Sequence, residues 1–303
     1  MSITLIILAI LVLSLLCVGV MLYRLKQQPA VRLSSLDYLK LGISGVIAFI
    51  ADTIGIGSFA VNVALAKLLG TFSDDELPAV NNGAQVIPGT IESLFFMQLV
   101  DVDLTTLLTL VLGACFGGLI GGMVVSHLSK QAIRLTMICC FIIIIGLLIS
   151  HQMHWLPIGG DLVALHSWKL ALGFVGMALC GALTSVGIGL FVMVQAVLFL
   201  LNVSPLIAFP IMTTAGAMQQ PLTTLVFLQQ NKIPLKKTLV LSLAGCIGVF
   251  ITLPLFTQMS TRWLHSLLLV ILFYNLFAIS RAYLQTRPVK LFSLSPVALM
   301  ETK

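Results

Sequence analysis

The chain has 303 residues, of which 59% are hydrophobic and only 9% charged, with a mean hydropathy of +1.13. A water-soluble fold has no interior large enough for that much apolar surface, and a membrane barrel needs short alternating segments where this chain has continuous apolar runs, so the expected class is an all-α, polytopic transmembrane bundle. The net charge of +6 comes from basic residues in the short links between apolar runs, which makes them topology signals and excludes nucleic acid as a partner.

The first apolar run, 3–23, is long enough to cross a bilayer, has no basic region before it and no small-residue cleavage pattern after it, and is expected to be a retained span. Arg24, Lys26, Arg32 and Lys40 follow at once. They place that link in the cytoplasm and the N-terminus outside. Further apolar segments lie at about 39–66, 80–100, 104–127, 132–150, 168–201, 205–228, 236–257 and 262–284, giving eight to nine spans. If each crosses once, Lys169, Lys232, Lys236, Lys237, Arg281, Arg287, Lys290 and Lys303 join the cytoplasmic side with the C-terminus, and Lys67, Lys130, Arg134 and Arg262 face outward. A half-membrane hairpin would be miscounted as a full crossing. The expected units are 1–38 (first span and basic link), 39–150 (first membrane repeat), 151–167 (loop), 168–284 (second membrane repeat) and 285–303 (tail).

The two-repeat division rests on paired motifs. Asp52-Thr-Ile-Gly-Ile-Gly-Ser58 has a weak copy in Leu183-Thr-Ser-Val-Gly-Ile-Gly-Leu190. Gly83-Ala-Gln-Val-Ile-Pro88 matches Gly216-Ala-Met-Gln-Gln-Pro221, Gln98 matches Gln229, and Ser129 matches Ser260, all at offsets of about 131 to 133. Regular spacing of this kind points to duplication. Four crossings per half would make the repeats parallel; an odd number would make them inverted.

Polar side chains inside lipid are costly and usually face a cavity or one another, so they mark the candidate site. In the first half these are Asp52, Thr53, Ser58, Asn62, Asn81, Asn82, Gln85, Thr90 and Glu92, with Gly55, Gly57 and Pro88; in the second, Thr184, Ser185, Gln195, Thr213, Thr214, Gln219, Gln220, Thr223 and Thr224, with Gly187, Gly189 and Pro221. A helix restarting after Gly55-Ile-Gly57 or Gly187-Ile-Gly189 would turn unpaired N–H groups and its positive dipole end toward the midplane, where an anion binds without a fixed cation. The plainer alternative is that these glycines only permit tight helix packing. Asp52 and Glu92 are candidates for proton coupling; otherwise one lies solvated at a membrane edge or pairs with Lys67. Asp74, Asp75 and Glu76 are expected in a solvated outer loop.

The rest of the chain offers little chemistry. The six cysteines lie inside apolar runs and read as small hydrophobes. His151, His154, His166 and Asp161 match no strong zinc spacing, and Trp155, Trp168 and Trp263 sit at span ends as interface anchors. No cofactor, metal or catalytic residue is expected, and the chain does not read as an enzyme.

With Asp52-Thr-Ile-Gly-Ile-Gly-Ser-Phe-Ala60, Gly83 to Pro88, Val186-Gly-Ile-Gly189 and Val203-Ser-Pro-Leu-Ile-Ala-Phe-Pro210 in view, the sequence over about 39–283 resembles the sulfite exporter TauE/SafE family of permeases. The resemblance implies a multi-pass plasma-membrane permease of bacterial type that moves small anions, among them sulfur oxyanions, sulfonates and organic anions. This chain departs from many relatives in having only Gly55 and Gly57, beside Asp52, where they carry a longer glycine run. The expected function is therefore secondary transport of a small sulfur-containing or carboxylate anion, its partners being that solute and membrane lipid. One alternative is a proton- or cation-linked carrier centred on Asp52 and Glu92, and a more remote one is a membrane-embedded enzyme or structural subunit using the loop from His151 to His166.

Overall fold

The computed structural model describes residues 3–29, 32–98, 102–153, 155, 160–187, 189–231, 233–254 and 261–285. These form eleven α-helices: α1 (Ile3–Gln27), α2 (Ser35–Thr53), α3 (Ser58–Leu69), α4 (Leu77–Phe96), α5 (Leu104–Ser126), α6 (Lys130–Gln152), α7 (Ser167–Thr184), α8 (Leu190–Leu200), α9 (Pro205–Gln229), α10 (Leu235–Thr252) and α11 (Thr261–Leu284). Five of them, α1, α5, α6, α7 and α10, are long and apolar enough to cross a membrane. The tail from 286 onward, His154, Lys232 and Ser260 lie outside the described residues.

Local chemistry sets the helix starts. Ser34 and Asp37 form a reciprocal capping box at α2, the Asp103 carboxylate accepts from the Thr106 amide at 2.8 Å before α5, and Ser129 caps α6 through the Ala132 amide. The interruptions are equally local. Between α2 and α3 the chain turns on Gly55 and Gly57, both at positive φ (90° and 96°), with the Ile56 and Gly57 amides folding back onto the Ala51 carbonyl. Between α7 and α8 only Gly187 takes this conformation (φ 94°), whereas Gly189 has an ordinary φ of −57°. A side chain at Gly55, Gly57 or Gly187 would strain the turn.

Each interruption reverses the chain. The Lys40 ammonium, in the second turn of α2, donates to the Leu69 carbonyl at the end of α3 over 3.1 Å, so α3 runs back alongside α2. From Lys40 to the turn is about 20 Å of helix, and α3 is about 18 Å long, both short of the roughly 30 Å needed to cross a hydrocarbon core. α8 doubles back on α7 likewise: a Cβ on Gly176 would lie 2.6 Å from a Val197 methyl, and one on Gly173 would lie 3.4 Å from Leu201. The apolar segments 39–66 and 168–201 are therefore helical hairpins and not single spans.

The two hairpins open at opposite ends of the bundle. At one end, the Gln28 amide donates to the Ile233 carbonyl (2.9 Å), Lys237 to the Thr71 carbonyl (2.8 Å), and Arg134 to both Asp74 (2.6 Å) and the Ala282 carbonyl (3.1 Å), gathering the last turn of α1, the α3–α4 link and the starts of α6 and α10. At the other end, the Leu165 amide donates to Thr106 Oγ1 (2.9 Å), and Leu162 exchanges backbone bonds with Asn202 and Ser204, joining the start of α5 to the links before α7 and after α8. This placement corrects the alternation expected for nine single spans: Lys67, Lys130 and Arg134 share an end with Lys40, and Lys169 in the first turn of α7 lies at the opposite end. It also corrects the acidic trio. Asp74 is buried between Lys67 and Arg134, and Asp75 pairs with Lys130 at 2.8 Å, because the hairpin brings α3 back to the start of α6.

α4 and α9 pack against each other at the centre, with α5 against α9, α10 against α4, and α1 across both. The outer pairings cross between the halves, α5 with α7 and α2 with α10. Small residues at four-residue spacing allow the first contact: a Cβ on Gly113 or Gly121 would lie 2.6 Å from the carbonyl of Phe174 or Ala182, and one on Gly117 would run into the Ala178 carbonyl.

Candidate functional site

The two hairpin tips meet in the middle of the bundle, where a Cβ on Gly189 would lie 4.0 Å from the Gly57 Cα. α4 fastens them together. Asn81 Nδ2 donates to the Gly187 carbonyl (3.2 Å), and Asn82 Nδ2 to Pro78 (2.8 Å) and to the Thr184 carbonyl (3.3 Å). Asn62 on α3 joins by donating to Asn81. The Gly187 carbonyl thereby gains a side-chain donor, and the Thr184 carbonyl, which already accepts from the Gly187 amide at 2.9 Å, gains a second.

The first tip is closed by a carboxylate of its own chain. Asp52 accepts from the Ser58 amide at the start of α3 (2.6 Å) and from the Gln85 side-chain amide, while Ser58 Oγ donates back to Gln85 Oε1 (2.7 Å). Asp52 thus takes the place at the α3 dipole that an external anion would occupy. The described residues of the second tip show no counterpart: Gly189 is the N-cap of α8 with no side-chain bond to the helix start, and in the register that pairs Gly55 with Gly187 and Gly57 with Gly189, Asp52 falls on Thr184.

A small cavity lies between the tips, lined by Asp52, Gln85 and Glu92 on one side and by Gly189, Leu190 and Gln220 on the other. Its free volume is about 10 Å³, room for one water molecule, so this is a closed arrangement. Among the described residues no lysine, arginine or histidine lines it. Gln220 is buried with its Oε1 unpartnered. Glu92 Oε1 sits 2.6 Å from Thr53 Oγ1, whose hydroxyl is also 2.9 Å from the Phe49 carbonyl, and Glu92 shares the cavity lining with Asp52.

Both acids are essentially unexposed, at 2% for Asp52 and 1% for Glu92. That overturns the expectation of a solvated membrane edge. Pairing with Lys67 is overturned too, because the Lys67 ammonium is bound to Asp74 at the end of α3.

The other expected residues divide between this site and its support. Gly57 and Gly189 form the contact between the tips, while Gly55 faces Phe209 at 3.7 Å. Thr184 Oγ1 donates to its own helix at Cys180 (2.8 Å), Ser185 Oγ to the Gly118 carbonyl (3.0 Å), and Gln219 turns toward α5 and donates to Thr223 (2.6 Å). None of these three lines the cavity. Pro88 and Pro221 are buried inside α4 and α9, and the Pro221 carbonyl accepts from Cys17 Sγ. Gln220 and Thr213, polar candidates of the second half, line the cavity with Gly216 of the repeated Gly-Ala motif, and Gly89 joins them without having been singled out. Helical spacing carried that signal, since Gln85, Gly89 and Glu92 share one face of α4, as Thr213, Gly216 and Gln220 do on α9.

Among the described residues no group of three or more His, Cys, Asp or Glu side chains could hold a metal. His151 stacks at 6.3 Å on Phe199, and His166 is the exposed residue before α7. No family model, curated protein or solved structure matches the chain.

Proposed function

We propose that the chain is a secondary transporter that carries a small anion, a sulfur oxyanion, sulfonate or small carboxylate, across the plasma membrane. The observation that carries this reading is the tip-to-tip meeting of two helical hairpins that open at opposite ends of the bundle. In this reading α1, α4, α5, α6, α9, α10 and α11 cross the membrane and the hairpins enter from either side, which makes the repeats inverted, with three crossings and one hairpin each. Irregular backbone at membrane depth is tolerated where it is buried in protein or faces a cavity, and both tips meet that condition. The end rich in Arg24, Lys26, Lys40, Lys67, Lys130, Arg134, Lys236, Lys237 and Arg281 is cytoplasmic, with the N-terminus outside and the tail inside.

The cargo's negative group would rest against the first turn of α8, the tip without an internal carboxylate, beside Gln220. Rocking of the two halves would open the closed cavity to either side. The reading agrees with the resemblance to TauE/SafE permeases and assigns the protein no catalytic role. Flux of labelled sulfite, isethionate and acetate into proteoliposomes tests it: Gly57→Leu and Gly189→Leu should each abolish uptake while the protein still inserts, and undiminished flux in both would overturn it.

A second reading, linkage to protons, is favoured by two buried carboxyl groups, Asp52 and Glu92, lining one cavity that has no basic residue among its described lining. Glu92 would carry the proton and Asp52 would remain the fixed anion on α3. Glu92→Gln should then remove the dependence of flux on a pH gradient. A gradient response equal to that of the unaltered protein would sink this role.

A further inference from the structure

We propose that the basic end of the bundle carries a binding site for a phosphate-bearing anion, the headgroup of an anionic phospholipid or free phosphate, in the cavity between the last turn of α1 and the first turn of α10. The cavity has a volume of about 570 Å³ and is lined by Lys26, Lys236 and Lys237. Glu76 is the single carboxylate among the described lining residues, and it is engaged as acceptor for the Ser73 amide at 2.8 Å. Three ammonium groups against one carboxylate leave a surplus of positive charge that an anion would neutralise.

The site is built rather than incidental. Gln28 spans the cavity's two walls by donating to the Ile233 carbonyl at 2.9 Å, and Lys237 is held by the Thr71 carbonyl at 2.8 Å with its ammonium 5.6 Å from the centre of the Phe72 ring. Holding these walls and one lysine in place before a ligand arrives lowers the ordering cost of binding. The volume lies within the range of small-molecule sites.

Position adds a second, independent argument. Leu15, Leu16, Leu22 and Tyr23 are exposed on the outer face of α1, and the apolar run gives way to Arg24 and Lys26 at the cavity. Acyl chains lying along that face would bring their phosphate to the cavity mouth, and basic pockets at the cytoplasmic ends of membrane helices suit anionic headgroups. Leu25, Pro29 and Pro234 give the cavity an apolar floor for the glycerol region.

The test uses the full chain in detergent micelles, titrated separately with short-chain phosphatidylglycerol, short-chain phosphatidylcholine and inorganic phosphate, and read by unfolding temperature and by native mass spectrometry. Phosphatidylglycerol should raise the unfolding temperature and stay bound where phosphatidylcholine does neither. Inorganic phosphate reproducing the full effect would identify the free anion as ligand, and an effect confined to phosphatidylglycerol would identify the lipid. The double variant K26Q/K236Q should bind about thirtyfold more weakly, and K26Q alone, on an exposed residue, about fivefold. Equal effects of the two lipids together with no effect of phosphate would overturn the site, as would unchanged affinity in K26Q and in the double variant.

Discussion

Replacing Asp52 offers the sharpest test of how the first hairpin tip is held. Asp52→Ala removes the acceptor for both the Ser58 amide (2.6 Å) and the Gln85 side-chain amide, leaving two buried donors without partners. Hydrogen bonds to a charged group contribute about 1.5–3 kcal/mol each, so the loss should be about 3–6 kcal/mol. Asp52→Asn is expected to behave differently. Its amide oxygen can still accept from Ser58, and a flip of the Gln85 amide would present Oε1 to the new N–H donor and Nε2 to Ser58 Oγ, which at 2.7 Å exchanges donor for acceptor. Neutral bonds are roughly half as strong as charge-assisted ones, so this variant should lose only about half as much. Unfolding of the purified variants by denaturant titration in mixed micelles measures both. Equal losses for the two, or no loss with alanine, would refute the assignment of Asp52 as the cap of α3.

Four further outcomes follow from other parts of the bundle. Gly117→Ala should loosen the α5–α7 contact and cost about 1–3 kcal/mol, because the new methyl meets the Ala178 carbonyl, whereas Gly146→Ala on α6, with open space around it, should be neutral or slightly stabilising in the same unfolding assay. Asp74→Ala should cost about 3–5 kcal/mol by leaving Lys67 and Arg134 without their shared carboxylate, measured against Lys130→Ala, whose partner Asp75 is half exposed and whose loss should be within about 1 kcal/mol. Single cysteines at Ser73 and Gln230 in a cysteine-free background should react with an impermeant maleimide from one side of the membrane and a cysteine at Ser204 from the other; nine single crossings would put Ser73 with Ser204 instead. Asp103 is held below the usual carboxylate range by the backbone amide and hydroxyl of Thr106, so its contribution is complete above the unfolded value near 4 and is lost as pH falls through the folded one. Asp103→Ala should flatten the acid limb of the stability curve, and an unchanged limb would contradict the cap.

Much of the helical content was legible because hydropathy and length decide it, and the interruptions were legible because Gly55, Gly57 and Gly187 stand in otherwise unbroken apolar runs. Direction after the break was not legible. Whether a chain continues or reverses at a glycine turn depends on contacts remote in sequence, here Lys40 with Leu69 and Gly176 with Val197. That one ambiguity misplaced Lys67, Lys130, Arg134 and Lys169, since each half-crossing shifts every later link to the other side. The polar residues near the breaks were legible as a group, but their roles were not. Asn81 and Asn82 spend their amides on the opposite hairpin and Ser185 its hydroxyl on α5, partners remote in sequence that only the packing supplies, while Thr184 bonds its own helix. Glu92 and Asp52 are separated by 40 positions in the chain, and only the packing of α4 beside the tip brings them to one cavity.

The approach of Gly57 and Gly189, near enough that one methyl group on Gly189 would touch Gly57, has an electrical meaning. If solvent reaches both hairpin mouths, the insulating layer thins from the full bilayer to a septum around the two turns, and the membrane voltage falls almost wholly across it. A unit charge passing that septum would then feel close to the whole field, about 2.3 kcal/mol per 100 mV, over a few ångströms of travel. A net charge movement through this protein would register in its voltage dependence as though one step carried nearly all of it.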